Sequence, residues 1–191
     1  MPQNARFIQP FTAKRVRWES SRAFDEVLLN LRKIVGTAIP QDPDISRLRE
    51  DNQKSGETLG KAYLAAMQRL GGVSREHFEQ VVRFQVGESG FMLFLDFNYG
   101  EWLPLFGIQR KVARWILGNP LVAVTMIRHD ITASLFAPVE LLLVENESRE
   151  GSTLLYDIPS SLMVIEHNPF LLEAAQALDQ QLETLVRRVL E

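Results

Sequence analysis

The chain holds three histidines, His77, His129 and His167, the side chain best suited to proton transfer near neutral pH. They lie far apart, and no His-Glu-x-x-His or other His/carboxylate ligand spacing occurs. One constellation remains. His129 is followed by Asp130, and Asp157 lies further along the chain. Brought together in space, His129 with Asp130 or Asp157 would make an acid/base pair. The structural reading of the same residues is a helix end, where a cationic histidine favours the helix dipole.

Two further stretches imitate catalytic motifs. Gly56-Glu57-Thr58-Leu59-Gly60-Lys61-Ala62 looks like a phosphate loop, but its glycine spacing is one residue short. Ala62 also stands where a magnesium-binding hydroxyl is needed, and no apolar strand precedes it. Tyr156-Asp157-Ile158-Pro159-Ser160-Ser161 offers a serine, but not in a Gly-x-Ser-x-Gly elbow. Ser160 there is expected to cap a short turn before Leu162. The absence of cysteine excludes disulfides, thiolate nucleophiles and Cys-ligated zinc. No catalytic residue, metal or cofactor is therefore expected.

Binding is the better-supported chemistry. Met92, Phe94, Phe97, Trp102, Phe106, Trp115, Met126 and Phe136 exceed what a simple two-layer core needs. Such a surplus can line a pocket for an apolar ligand. Asn98, Tyr99, Asn119 and His129 would supply polar contacts at its mouth, and Trp102, Met126 and Asp157 complete the expected ligand-binding set.

These residues need elements to hold them. Alternation over 12–19, with Val16 and Trp18 on one face and Arg15 and Arg17 on the other, predicts a strand. Ser20 or Ser21 is expected to cap the next helix, with Asp25 and Glu26 in its first turn. Phe24, Val27, Leu28, Leu31, Ile34 and Val35 form its stripe, and Gly36 is expected to end it in a left-handed cap. Residues 37–54 read as a surface connection with a short helix near 45–49. Two helices follow: one over 57–70, with Leu59, Tyr63, Ala66, Met67 and Leu70 on one face, and one capped by Ser74 with Phe78, Val81 and Val82. Residues 91–97 are apolar on both faces, as in a central strand. Residues 109–117 fit a helix or a strand. Segments 139–145 and 152–157 predict a hairpin with Gly151 in its turn.

"GNPLVAV" and "HNPFLLEA" share one grammar, an Asn cap followed by Pro at the first helical position, where no N–H is needed. Gly118 thus turns the chain, Asn119 caps a short helix over 121–128, and Asn168 caps a long terminal helix. Leu171, Leu172, Ala175, Leu178, Leu182, Leu185, Val186 and Val189 form the stripe of that last helix. A phosphate at the Asn119 helix start is the competing reading, weakened because Pro120 removes a donor.

The blocks "GFMLFLDFNYG", "RWILGNPLVAVTMI", "APVELLLVE" and "LLYDIPSSL" resemble, in order and spacing, the domain of unknown function 302 family. The likeness covers 12–36 and 90 onward. It implies a TATA-binding-protein-like α+β fold, a curved antiparallel sheet packed against helices, with 109–117 a strand. It makes the helices between 45 and 88 an insertion after the first βα unit. The family's second-strand block commonly ends in Asp-His, and Asn98-Tyr99 stands there in this chain, so that pair could no longer anchor a metal. The resemblance implies no reaction.

The expectation is a single α+β domain over 1–191, with core 12–36 and 90–191 and a helical insertion at about 45–88. Its long C-terminal helix would pack on the sheet. Net charge is −3, which disfavours nucleic acid as partner. The early Arg15, Arg17 and Arg22 read as a solvated face. No apolar run approaches the ~18 residues of a membrane span, and no secretory signal opens the sequence, so the expected location is cytoplasmic and the sequon at Asn146 is incidental. The first functional expectation is a non-enzymatic binder of a small, largely apolar molecule between sheet and helices. The alternatives are an acid/base enzyme using His129, and a homodimeric interaction module built on the 45–88 helices.

Overall fold

The computed structural model describes residues 4–37 and 74–191. Among these, the chain runs through β1 (Arg15–Ser20), α1 (Phe24–Ile34), β2 (Gly36–Thr37), α2 (Arg75–Gln85) and β3 (Met92–Asn98). It continues through β4 (Val112–Gly118), α3 (Pro120–Ile127), β5 (Val139–Glu145), β6 (Ser152–Asp157), α4 (Pro159–Met163) and α5 (Pro169–Leu190). Short 3-10 turns occupy Tyr99–Glu101, Leu103–Phe106 and Ile131–Phe136. The sheet order is β1-β6-β5-β4-β3-β2. Five strands form a curved antiparallel sheet, and the two-residue β2 adds in parallel to β3. The expected short helix at 45–49 and the helix over 57–70 lie outside the described residues.

Alternation decides what each strand buries. Ala113, Trp115 and Leu117 of β4 are buried, while Val112, Arg114 and Ile116 between them are half-exposed. That period of two is why 109–117 does not become a helix. The inward set continues with Val139, Leu141 and Leu143 of β5 and Leu154 and Tyr156 of β6. Above them lie Phe24, Val27 and Leu31 of α1 and the stripe of α5 apart from Leu172, which is exposed at the first turn. At 22 residues α5 spans roughly 33 Å, enough to cross the whole sheet.

β3 carries a bulge. Leu93 pairs with Leu117, but Leu95 pairs with Ile116, leaving Phe94 as the extra residue. Before the bulge, Phe91 and Leu93 join the core under α1 and α5. After it the alternation is inverted, so Leu95 and Phe97 lie with Ile116 and Arg114 on the opposite face. Asp96 turns toward α1, where Arg32 donates to its carboxylate at 3.2 Å. Met92 and Phe94 meet α2 instead, packing with Phe78, Val82, Val86 and Leu121. So β3 is covered on both faces only at its start; Phe97 and Asn98 at its end are exposed, and the strand lies next to the sheet edge rather than at the centre that its composition predicts.

Three local expectations are corrected. The α1 N-cap is Ala23, with no side-chain bond to the helix, because the Ser20 hydroxyl accepts from Arg22 N instead. Gly36 is not a left-handed cap, since Val35 ends α1 in an extended conformation. Gly36 is required for another reason: a Cβ there would lie 1.9 Å from the Gln85 carbonyl oxygen. The ends of α1 and α2 thus touch, and the N–H groups of Gly36 and Gly87 both donate to the Phe91 carbonyl, at 2.9 and 3.0 Å. Ser160 caps nothing. Ile158 precedes α4, and the Ser160 N–H donates to Asp179 Oδ1 at 2.9 Å. The other caps match expectation. Ser74, Asn119 and Asn168 accept from His77 N, Leu121 N and Leu171 N. Gly151 takes φ +79° in the β5–β6 turn.

Candidate functional site

The residues singled out by sequence fall in four places. Asn119 and Met126 border a cleft of about 190 Å³ between the sheet and the helices α3 and α5. Phe91, Phe94, Leu117, Val122, Pro138 and Leu178 are among its walls. Gly118 makes this cleft reachable, since a Cβ there would meet the Phe94 ring at 2.6 Å and Pro138 at 3.1 Å. Met126 is buried against the core and supplies a flexible, polarisable wall. The Asn119 amide makes one bond at each end. Its Oδ1 accepts from Leu121 N at 2.9 Å and its Nδ2 donates to the Gly90 carbonyl at 3.0 Å.

Asn98, Tyr99 and Trp102 line a different, open cleft of about 490 Å³ with Arg32, Asp96 and Glu101. Asn98 caps the 3-10 turn that follows it, accepting from Gly100 N at 3.0 Å. Tyr99 packs on Trp102 with ring centroids 5.7 Å apart. In the β3–β4 ladder Asn98 pairs with Ala113, whereas Asn119 follows Gly118, which pairs with Met92. Those two ends of the hairpin are about 20 Å apart along the strands. One small molecule cannot touch both.

Asp157 belongs to a third region, a groove of about 550 Å³ on the face of the sheet away from α1 and α5. Its floor includes Leu142 and Leu155, and Leu135, Phe136, Pro159 and Leu162 wall it. Arg15 meets Asp157 with two bonds, 2.7 and 2.9 Å, and Arg114 meets Glu140 at 2.9 Å. Each carboxylate pushes its guanidinium above the ordinary arginine range, and the Tyr99 hydroxyl adds to the effect at Arg114.

His129 stands at the end of α3. Its ring stacks on Phe170, centroids 5.7 Å apart and planes 21° apart. Its carbonyl accepts from Asn168 Nδ2 at 3.3 Å. Asp130 caps the 3-10 turn Ile131–Phe136, accepting from the Thr132 hydroxyl and N–H at 2.7 and 2.8 Å. Those bonds, the hydroxyl first, hold its carboxyl below the usual range. Both acids named as partners for His129 are thus engaged elsewhere. Among the described residues, no group of three or more His, Asp or Glu side chains is placed to hold a metal ion. No helix among them is long and apolar enough to cross a membrane.

Sequence reasoning did not assemble the walls of the inner cleft. Phe91, Leu117, Pro138 and Leu178 come from four separated segments, and each one alone reads as ordinary core. The available signal was Gly118, a glycine at the end of an otherwise large-residue strand.

The model of the family described as "Domain of unknown function DUF302" matches residues 70–189. That span includes α2 and everything from β3 nearly to the end of α5. The structure is similar to a crystal structure of an uncharacterized conserved DUF302 protein from Bacillus stearothermophilus. The likeness has a TM-score of 0.55 at 14% identity and covers 92% of this chain and 97% of the other. At that identity it speaks for the fold. Among curated proteins none matches the chain.

Proposed function

We propose, for a chain that belongs to the DUF302 family of unknown function, that it is a non-enzymatic binder of one small, largely apolar molecule. The observation that carries this is the inner cleft between the sheet and helices α3 and α5. Its walls are mostly hydrocarbon and aromatic, and the polar side chain at its rim, Asn119, is held at both ends of its amide by Leu121 N and the Gly90 carbonyl. A charged guest would meet no charged side chain in this lining and would lose its hydration with little return. An apolar guest would replace poorly packed surface with contact. A cavity of ~150 Å³ accepts a benzene ring. The cleft, at about 190 Å³, therefore suits a single substituted ring or a short branched chain. Met126 would adjust to the guest's shape. Asn119 would hold the rim in place rather than touch the guest.

Native mass spectrometry of the protein from its own source tests the reading, followed by titration with toluene and indole. Wild type is expected to carry or take up one molecule per chain. Ala123→Leu, which places added methyl groups in the cleft, is expected to abolish uptake while keeping a cooperative melt. A wild type that binds neither probe, or an Ala123→Leu protein that binds as well as wild type, overturns it.

A further inference from the structure

β1 lies at one edge of the sheet, and no described residue pairs with its outer side. Every second residue of such a strand directs its N–H and C=O outward, unpaired. Edge strands of this kind are normally protected by charge, by proline or by a bulge. β1 has neither proline nor bulge: its six residues run in unbroken register against β6. It does carry charge. On the face away from α1 and α5 it reads Arg15, Arg17, Glu19, and the last two form an exposed ion pair at 3.0 Å.

The order of these signs matters. A protective edge repels a second copy of itself. Here antiparallel pairing about a two-fold axis at Trp18 sets Arg17 opposite Glu19 of the partner subunit, and the same contact recurs on the other side of the axis. Directly opposite residues on one face lie about 4.5–5.5 Å apart at Cβ, within ion-pair reach. Other registers that keep the two faces aligned are worse. Centring on Val16 sets Arg15 against Arg17, centring on Arg17 sets two arginines together on the axis between its two Arg15–Glu19 pairs, and centring on Glu19 sets two glutamates together. The Trp18 register also places two half-buried tryptophans side by side on the helix-covered face, a favourable cross-strand pair. Each ring already carries the Arg187 guanidinium 5.0 Å from its centre.

We propose that β1 is a self-recognition edge: two copies of this chain pair antiparallel through β1, with Arg17 and Glu19 selecting the register centred on Trp18. Edge pairing alone buries less than the ~1,200 Å² of a standard stable interface. The dimer therefore forms in a concentration-dependent equilibrium and weakens as salt rises. The surface is separate from the inner cleft, so the proposal stands or falls independently of ligand binding.

Sedimentation equilibrium of the full chain tests it. The weight-average mass is expected to rise with concentration from 21.8 kDa toward twice that value. Arg17→Glu sets glutamate against glutamate twice and is expected to be monomeric throughout. Glu19→Arg sets arginine against arginine and is expected to do the same. An equal mixture of the two variants is expected to recover the dimer, as is the double swap Arg17→Glu/Glu19→Arg. Both sites are exposed, so each variant is expected to melt as wild type does. A wild type that is monomeric at every concentration overturns the proposal. So does an Arg17→Glu protein that dimerises like wild type, or a mixture that stays monomeric.

Discussion

Under α1 and α5, Trp115, Leu117, Leu141, Leu143 and Leu154 are almost wholly sealed from solvent. One residue along the same strands, on the other face, Ile116, Leu142 and Leu155 are only half-buried. The first face is closed by a helix long enough to span the sheet, and its buried side chains are hydrocarbon and aromatic, with the Trp115 indole and the Tyr156 phenol the polar ends among them. The second is closed by α2 only over Met92 and Phe94. Elsewhere its half-buried leucines lie among side-chain ion pairs, Arg15–Asp157 and Arg114–Glu140. The two faces share strands and twist, and leucine and isoleucine stand on the second as well, one residue along, beside its charged residues. What separates them is which helices the chain can lay across them, so burial here is set by topology as much as by side-chain type.

The sharpest way to break this comparison is to truncate one leucine on each side. Leu182 on α5 is fully buried in the main core. Leu182→Ala is expected to cost about 2–5 kcal/mol of unfolding free energy. Leu155→Ala, on the half-covered face, removes less buried area and is expected to cost about 1 kcal/mol. Urea denaturation of both variants measures the difference. Equal losses would mean that the second face is sealed in solution and the contrast is false.

How far the comparison was readable in advance depends on the range of the contacts. The β5–β6 hairpin, the caps at Asn119 and Asn168 and the α5 stripe rest on neighbours within one turn or one period, and they are legible. Gly36 is not, because the atom that demands a glycine there is the Gln85 carbonyl, forty-nine positions away. Nor is the bulge at Phe94. It inverts the facing of everything after it, which sends Asp96 to Arg32 and Phe97 to the open face. The candidate site suffered from the same limit. Asn98 and Asn119 flank one hairpin and look like neighbours in a list of polar residues, yet the antiparallel ladder puts them at its opposite ends.

A middle-sized effect is expected at the two asparagine caps, which are alike in sequence and unlike in setting. Asn168 is half-buried at the start of α5, where its Nδ2 donates to the solvent-exposed His129 carbonyl at 3.3 Å. Asn119 also ties the Gly90 carbonyl, and so the start of β3, to the rim of the inner cleft. Each Asn→Ala change is expected to lose about 0.5–2 kcal/mol, with Asn119 the larger because the carbonyl it orphans, that of Gly90, is part-buried, whereas water can replace the amide at the exposed His129 carbonyl. Asn119→Asp separates the two roles, since it keeps the acceptor for Leu121 N and lacks the donor for Gly90. Its thermal midpoint is expected to fall between wild type and Asn119→Ala. A midpoint equal to wild type would show that the tie to Gly90 contributes nothing.

The smallest effect is expected at Asp130, whose 3-10 turn carries Leu135 and Phe136 to the wall of the open groove. The Thr132 hydroxyl and N–H both donate to its carboxylate and lower its pKa in the folded protein. A group whose folded pKa is depressed stabilises fully above its unfolded value, about 3.9 for aspartate, and loses that contribution as pH falls through the lower folded value. The gap in melting temperature between wild type and Asp130→Ala is therefore expected to hold steady from pH 8 to pH 5 and to narrow below about pH 3.9. Circular-dichroism melts at matched ionic strength measure it. The residue is half-buried and its bonds to Thr132 lie at the surface, so the gap is expected to be small at every pH. A gap that widens in acid would mean the protonated carboxyl is the better partner for Thr132, and the cap on the groove wall would then be a neutral hydrogen bond rather than a charged one.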